Sequence, residues 1–526
     1  MVGIEGLTVS YRGSEQPALR DLSLRIERGS FVLATGPTGC GKTTLVRTLA
    51  GLLRREHLAE MAGTVSVGGF PAAEIQGRPG APRVGVLFQN PDDQLIGHTC
   101  GEEVAFGLEN IGSSPQAVAD GVSTALEMVG LAGMEDVPVA NLSGGRKQHL
   151  ATAALLALNP DLLLLDEPTS NIDGPGVARL LGLLRALRAQ RRTVLVCSHD
   201  VAELAPLCDR VIVLNEGELL AEAETSRLHD QPALFDAVGI GRPWVGSSTG
   251  RGRPVVSSSY SPPSPPPPPV VAARGLAYRY GRDGFALGPL SFEVRPGERL
   301  ALFGPNGGGK TTLLSLLAGI LKPAAGELGI DGRRVGRRFP AGLAAAVAYV
   351  AQNPDLMLHR STVAGEVAAR PRYLRLGPRL VESEARAALD HYRLDALSRR
   401  HPFALSQGQR QRLALAAAVA GGAKLLLVDE PTTGQDRLQA GELLDRLSQL
   451  ARDAAAAVFF STHNLEAAAG AADRALVLAD GRLRFDGPMA ELLGDRELLR
   501  LAGLRVPRRA AAGRSRARRA GVGEVV

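Results

Sequence analysis

The stretch GPTGCGKTTLVRTLAGLL at 36–53 returns as GPNGGGKTTLLSLLAGIL at 304–321. Each copy satisfies G-x-x-x-x-G-K-[ST] in full. The first is Gly36, Pro37, Thr38, Gly39, Cys40, Gly41, Lys42 and Thr43, with Thr44 following; the second is Gly304, Pro305, Asn306, Gly307, Gly308, Gly309, Lys310 and Thr311, with Thr312 following. Glycines at this spacing let backbone N–H groups close around phosphates while the next helix offers its positive end. Lysine reaches the β- and γ-phosphates as a compact charge, and the Thr43 or Thr311 hydroxyl is placed for Mg²⁺. The chain has only five lysines among its 60 basic residues, yet spends one in each loop, because the wide guanidinium fork does not fit inside a tight ring of amides. Cys40, inside the first loop, reads either as a passive small residue or as a redox-sensitive thiol.

Outward from these loops the repetition continues. Gly36 and Gly304 are followed by Gln-Asn-Pro (Gln89, Gln352) after 53 and 48 residues, and then by Leu-Ser-x-Gly (Leu142, Leu405) after 53 in both. Asp166 and Asp429 come 24 residues later, and His199 and His463 follow after 33 and 34. Five landmarks in one order, twice, mean a duplication. The expected division is 1–242 and 273–500 for the two copies, a Pro/Ser-rich linker at 243–272, and an Arg-rich tail at 501–526. The proline run reads as stiff polyproline II spanning the side of a folded unit, with a ligand for SH3-type modules as the rival reading. The tail reads either as a solvated segment or as an electrostatic handle for anionic lipid or RNA.

The fold class follows from the local patterns. FVLATG (31–36) and RLALFG (299–304) are short apolar strands running into glycine turns, and the leucines after the turns keep a helical period. DLLLLDEP (161–168), KLLLVDEP (424–431), TVLVCSH (193–199) and AVFFSTH (457–463) are continuous apolar runs, the pattern of strands buried on both faces of a parallel sheet. Alternation of this kind is α/β, with ligands at the carboxyl ends of the strands. A chain of 526 residues, 45% hydrophobic and 22% charged, requires more than one core. No apolar run reaches the ~18–20 residues needed to cross a bilayer; LALAAAVAGGAKLLLV (413–428) is split by glycines and Lys424. The four cysteines have no paired spacing and nothing at the N-terminus reads as a signal peptide, so they are expected to be reduced, cytosolic thiols.

Asp166 and Asp429 end strands beside the phosphate loop, where they are expected to hold Mg²⁺ through water; Glu167 and Glu430 are expected to orient the attacking water. The order phosphate loop, QNP, LSGG, LLLLDEP, SH resembles the ATP-binding subunits of ABC transporters, here two in one chain. The resemblance implies tandem P-loop NTPase domains, each a RecA-like mixed or parallel sheet with an antiparallel β subdomain and a helical subdomain, hydrolysing ATP with Mg²⁺. It also implies roles. Gln89 and Gln352 match the loop glutamine that touches Mg²⁺; His199 and His463 match the switch histidine on the γ-phosphate; Tyr11 and Tyr280 stand where an aromatic stacks on adenine, or else pack within a strand. Asp173 and Asp436 match an acid at the dimer interface. In the family two domains pair head to tail, so loop 36–43 is expected to face LSQGQ (Ser406, Gln407, Gly408) and loop 304–311 to face LSGGR (Ser143, Gly144, Gly145). Gln407 and Arg146 depart from the family's LSGGQ, so two working sites of unequal rate are expected.

FQNPDDQLIGHTCGEEVAFGLENIG (88–112) resembles the corresponding segment of energy-coupling-factor and cobalt-type importers. That resemblance implies a transmembrane scaffold (T) component as partner, a small membrane protein that captures a vitamin, a vitamin precursor or cobalt or nickel, and work at the cytoplasmic face of the membrane, with no specific nucleic acid. The rival is a soluble twin-ABC ATPase acting on ribosomes or nucleic acid, with the arginine tail as its handle.

Overall fold

The computed structural model describes residues 1–12, 14, 16–55, 59–75, 78–170, 172–230, 267–281, 284–335, 342–432, 435, 437–453 and 455–504. Most of the expected linker, the tail beyond Leu504, and Asp436 lie outside the described residues.

Each half builds the same two sheets. In the first half, Phe31–Thr35 is flanked by Thr193–Cys197 and Arg210–Asn215, with Leu162–Asp166 and Val84–Leu87 beyond; all run parallel, and Glu218–Glu224 closes one edge antiparallel. The second half repeats this with Arg299–Phe303 central, then Ala457–Ser461, Leu425–Val428 and Val347–Val350 on one side and Arg474–Ala479 and Arg482–Pro488 on the other. The runs 31–35, 162–166 and 193–197 are buried at every position, as strands covered on both faces must be. A four-stranded antiparallel sheet accompanies each: Leu19–Ile26, Val2–Tyr11, Ala59–Val67 and Phe70–Pro71, and their counterparts Ala286–Val294, Val271–Arg279, Ala325–Ile330 and Arg333–Val335. Val271 is already in a strand, and Leu504 is still buried.

Helices Cys100–Asn110, Pro115–Met128 and Gly144–Ala157 form a separate apolar cluster around Val104, Leu126, Leu150 and Ala153. The second half supplies Val363–Val367, Pro378–His391 and Gln407–Val419. This layer carries the Leu-Ser-x-Gly turns, while the parallel sheets carry the phosphate loops.

Candidate functional site: two nucleotide clefts

Parallel register brings the chemistry to one end of each sheet. Leu33 pairs with Val196, and Asp166 with Cys197, so loop 36–43, the Asp166–Glu167 pair and His199 all leave the sheet at its carboxyl edge. The helix Lys42–Leu49 starts from Gly41 at φ 104°, and Lys310–Leu317 from Gly309 at φ 105°, a backbone conformation that glycine adopts without strain. A Cβ on Gly36 or Gly304 would meet a carbonyl oxygen, of Leu214 or Leu478, at 2.1 Å.

Lys42 Nζ donates to Gly36 O (2.7 Å) and Pro37 O (3.1 Å); Lys310 Nζ donates to Gly304 O (2.8 Å) and Pro305 O (3.4 Å). Both ammonium groups are buried and stand 3.9 and 3.8 Å from Glu167 and Glu430. Burial pulls the Lys310 ammonium below its usual range, against attraction to Glu430, Asp429 and Asp173. Glu167 and Glu430 both sit at φ 47°. Glu167 accepts from Ser198 Oγ and lies 2.9 Å from His199 Nδ1; Glu430 lies 2.9 Å from His463 Nε2. Burial opposes ionisation of both glutamates, but the histidine, then the lysine, outweigh it and hold them below the usual carboxylate range. His199 moves the other way: burial disfavours its charge, and Glu167 more than restores it.

Burial pushes the Asp166 carboxyl up to about 6, opposed by a hydrogen bond with Thr43. Its Oδ1 is buried without a hydrogen-bond partner. An orphaned carboxylate oxygen beside a threonine hydroxyl fits Mg²⁺, a hard cation that takes one or two protein oxygens and completes its shell with water and phosphate. Asp429 has the same hydroxyl neighbour, Thr311, and its Oδ1 also accepts from Ser461 Oγ at 2.5 Å. Serine stands at 461 where the first half has Cys197, so the two metal positions differ in one donor.

Tyr11 and Tyr280 place their hydroxyls 3.3 and 3.4 Å from Thr44 and Thr312, on the phosphate-loop helices. Cys40 is buried, and burial raises its thiol despite Lys42, which suits the passive small residue of the two readings and not a reactive thiol. Ser143 and Ser406 each stand just before a helix, at its N-cap. Ser406 spends its hydroxyl on Gln409 N, and Gln409 returns a bond to Ser406 N, a capping box. Ser143 makes no side-chain cap bond, and Arg146 at the matching position has no acceptor with which to return one. An added Cβ at Gly144, Gly39 or Gly307 would meet nothing within 4 Å, so these turns present open faces.

One expected cross-half contact is present. Asp173 caps the helix Gly174–Ala189 through Oδ1 on Gly176 N, and its Oδ2 accepts from Asn306 N of the second phosphate loop at 3.2 Å. Gln89 and Gln352 follow the edge strands Val84–Leu87 and Val347–Val350; Gln352 is exposed.

Two duplicated features escaped the reading of the sequence. Asn90 and Asn353 cap turns at Pro91 and Pro354, and the next residue, Asp92 or Asp355, pairs with the Leu-Ser-x-Gly helix: Lys147 at 2.5 Å, Arg410 at 2.6 Å. Buried Glu103 accepts from Ile96 N and Gly97 N, and buried Glu366 from His359 N and Arg360 N, at 2.7–2.8 Å. The repeated Thr-x-x-x-Glu-Val at 99–104 and 362–367 was the signal available for the second feature.

A family model described as ABC transporter matches residues 19–170 and 287–433. The chain belongs to that family: it is an ATP-hydrolysing ABC protein with two nucleotide-binding units, using ATP and Mg²⁺. It is 35% identical over 96% of its length, and 89% of the relative's, to a "Putative ABC transporter ATP-binding protein" of Methanosarcina acetivorans. It is 31% identical over 94% of its length, and 92% of the relative's, to the "Putative HMP/thiamine import ATP-binding protein YkoD" of Bacillus subtilis. Among solved structures, RNase-L Inhibitor superposes with a TM-score of 0.58 at 23% identity, covering 92% of this chain and 91% of that one, a likeness of fold.

Proposed function

We propose that this ATPase energises an importer of the energy-coupling-factor type, with a vitamin, a vitamin precursor of the thiamine kind, or cobalt or nickel as cargo. It works at the cytoplasmic face of a membrane through a scaffold partner and a separate capture protein. The observation that carries this is the Asn-Pro-Asp segment. It is an asparagine-capped turn after Gln89 and Gln352, tied by an ion pair to the Leu-Ser-x-Gly helix in both halves. A partner that pushed on this turn would move the helix that closes on ATP. Exposed apolar side chains lie in the turn, just after it or on the helices that follow, Ile96 and Phe106 in one half and Leu356 and Tyr373 in the other, and a cleft of about 1050 Å³ opens in the second half between Arg360, Ala368 and Leu376. Such surfaces suit helices of an apolar partner. The likeness to the thiamine-type import ATPase supports the same reading. Among the described residues no helix is long and apolar enough to cross a membrane, so the spanning helices are assigned to the partner.

In the proposed cycle each ATP lies between one phosphate loop and the other half's Leu-Ser-x-Gly turn. The amides and Lys42 or Lys310 hold the phosphates; Thr43 with Asp166, or Thr311 with Asp429, would hold Mg²⁺, aided by Gln89 or Gln352. Held there, Mg²⁺ would supply positive charge against the phosphate oxygens. Glu167 and Glu430, kept ionised, accept a hydrogen bond from the attacking water and orient it. His199 and His463 hold those carboxylates and face the γ-phosphate position, and Tyr11 and Tyr280 flank the adenine. ATP favours the closed pair by its differential contacts with both halves, and release of phosphate reopens it.

Affinity capture from detergent-solubilised membranes tests the assignment. A scaffold and a small capture subunit are expected to travel with the chain; co-sedimentation with ribosomes and no membrane partner would establish the rival instead. Within the chain, Ser143→Arg is expected to lower ATP binding at loop 304–311, measured in Lys42→Ala, and to spare loop 36–43, measured in Lys310→Ala.

A further inference from the structure

We infer that the C-terminal turn Leu499–Leu504 is a structural member of the second nucleotide cleft, bridging the phosphate loop of one half to the helix start of the other. The helix Arg496–Leu501 is capped by Asp495 and ends in a Schellman turn: Gly503 N donates to Arg500 O and Leu504 N to Leu499 O. Gly503 takes φ 67°, and Leu499, Ala502 and Leu504 are buried in the core of the second half. The turn is therefore fixed to its own half by packing.

The carbonyl of Gly503 reaches across. Gly503 O accepts from Gly174 N at 3.1 Å. Gly174 is the first residue of the helix 174–189, and its N–H has no partner within that helix, so the second half supplies one. The preceding residue, Asp173, accepts from Asn306 N. Gly503 also lies against Pro305: an added Cβ would meet Pro305 Cα at 3.0 Å and its Cβ and N at 3.3 Å, and a Cβ on Gly174 would meet Gly503 O at 2.8 Å. Helix start 173–174, loop residues 305–306 and the turn at 503 thus form a closed triangle with two cross-half hydrogen bonds and one tight packing contact.

The consequence concerns the order of assembly. ATP at loop 304–311 does not have to align two free surfaces, because three groups at its rim already hold the loop against the opposite helix. Preorganisation of this kind raises affinity by removing ordering costs at binding. Glycine at 503 is required twice, for its positive φ and for the approach to Pro305. The inference rests on ATP being shared between the halves, and does not depend on the identity of any membrane partner.

The test uses the full chain and the analogue AMP-PNP with Mg²⁺. Gly503→Val is placed in Lys42→Ala, where binding is confined to loop 304–311, and in Lys310→Ala, where it is confined to loop 36–43. The expected result is a threefold or greater rise in Kd in the first background and no change in the second. Gly494→Ala, in the same C-terminal region with open space around it, is expected to change neither. Equal shifts in both backgrounds, or none, overturn the proposal. A second measurement stays valid if valine at 503 prevents folding: Gly174→Ala, whose Cβ would meet Gly503 O at 2.8 Å while the turn itself is left intact, is expected to raise Kd in the Lys42→Ala background and not in Lys310→Ala. A folded Gly174→Ala variant with unchanged Kd in both backgrounds removes the contact on which the inference stands. Failure of the shared-cleft reading itself is seen separately, in the Ser143→Arg measurement.

Discussion

Glu167 and Glu430 show how much local strain the site stores, for a non-glycine residue at φ 47° costs on the order of 1 kcal/mol and persists only when its surroundings fix it. Both are fixed by a histidine and a lysine, and both point their carboxylate at the phosphate loop from a strand end. Asp166 stores a different kind of energy. Its carboxyl, raised to about 6 by burial, binds a proton more tightly in the folded chain than in the unfolded one. Its contribution to stability is therefore present at low pH and lost as pH rises from the unfolded value through about 6. At about pH 8 the folded chain carries the full penalty of a buried anion, which two pK units put at up to about 3 kcal/mol. We expect Asp166→Asn to raise the unfolding free energy of the nucleotide-free protein at about pH 8, with the gain shrinking toward about pH 4, while Mg²⁺-dependent hydrolysis at that site is lost. Denaturant unfolding across pH decides it; a gain independent of pH would mean that the burial argument is wrong.

At the scale of elements, the helix Gly144–Ala157 does two jobs at opposite ends of its first turn. Ser143, at its N-cap, is the residue proposed to face the cleft, and Lys147, one turn on, holds Asp92. Half-exposed ion pairs contribute roughly 0.2–1 kcal/mol, enough for up to about a fivefold effect on a coupled equilibrium. Asp92→Lys and Lys147→Asp alone should each weaken nucleotide binding at loop 304–311 by about two- to fivefold, read in Lys42→Ala, and the double reversal should restore it. A double variant no better than the singles would show that charge does not connect the two elements. The same helix marks where the sequence was legible and where it was not. Strands 31–35 and 162–166, the loops and the acids were readable because each is a contiguous pattern with one physical meaning. The pairing of Asp92 with Lys147 was not, since it joins residues 55 apart that packing alone brings together. Nor was the Gly503 bridge, where a lone glycine before an arginine-rich tail carries no periodicity. Ser143 and Ser406 read alike as helix starts, yet only Ser406 closes a capping box, because residue 409 is glutamine and 146 is arginine.

For the whole molecule the question is whether the two halves act as one body. Their cores are separate, and the described bonds between them at the second cleft, from Asn306 to Asp173 and from Gly174 to Gly503, are few. Few contacts leave each half able to unfold on its own, so unfolding without nucleotide should be broad or show two transitions. ATP changes this if it lies between the halves, since a ligand bound only to the folded, paired state stabilises by RT ln(1 + [L]/Kd), about 2.7 kcal/mol at a hundredfold excess over Kd. In the proposed shared clefts each site touches both halves, so each ligand should stabilise both. We expect Mg²⁺ and ATP to merge the transitions of Glu167→Gln/Glu430→Gln, which binds without turnover, into one at higher temperature. Adding Lys310→Ala should lower the whole merged transition rather than only the half that carries the substitution. Calorimetry distinguishes the outcomes: if Lys310→Ala moves the second half alone and the first responds to ATP as before, each nucleotide belongs to a single half, and the proposed coupling from cleft to Asn-Pro-Asp turn loses its physical basis.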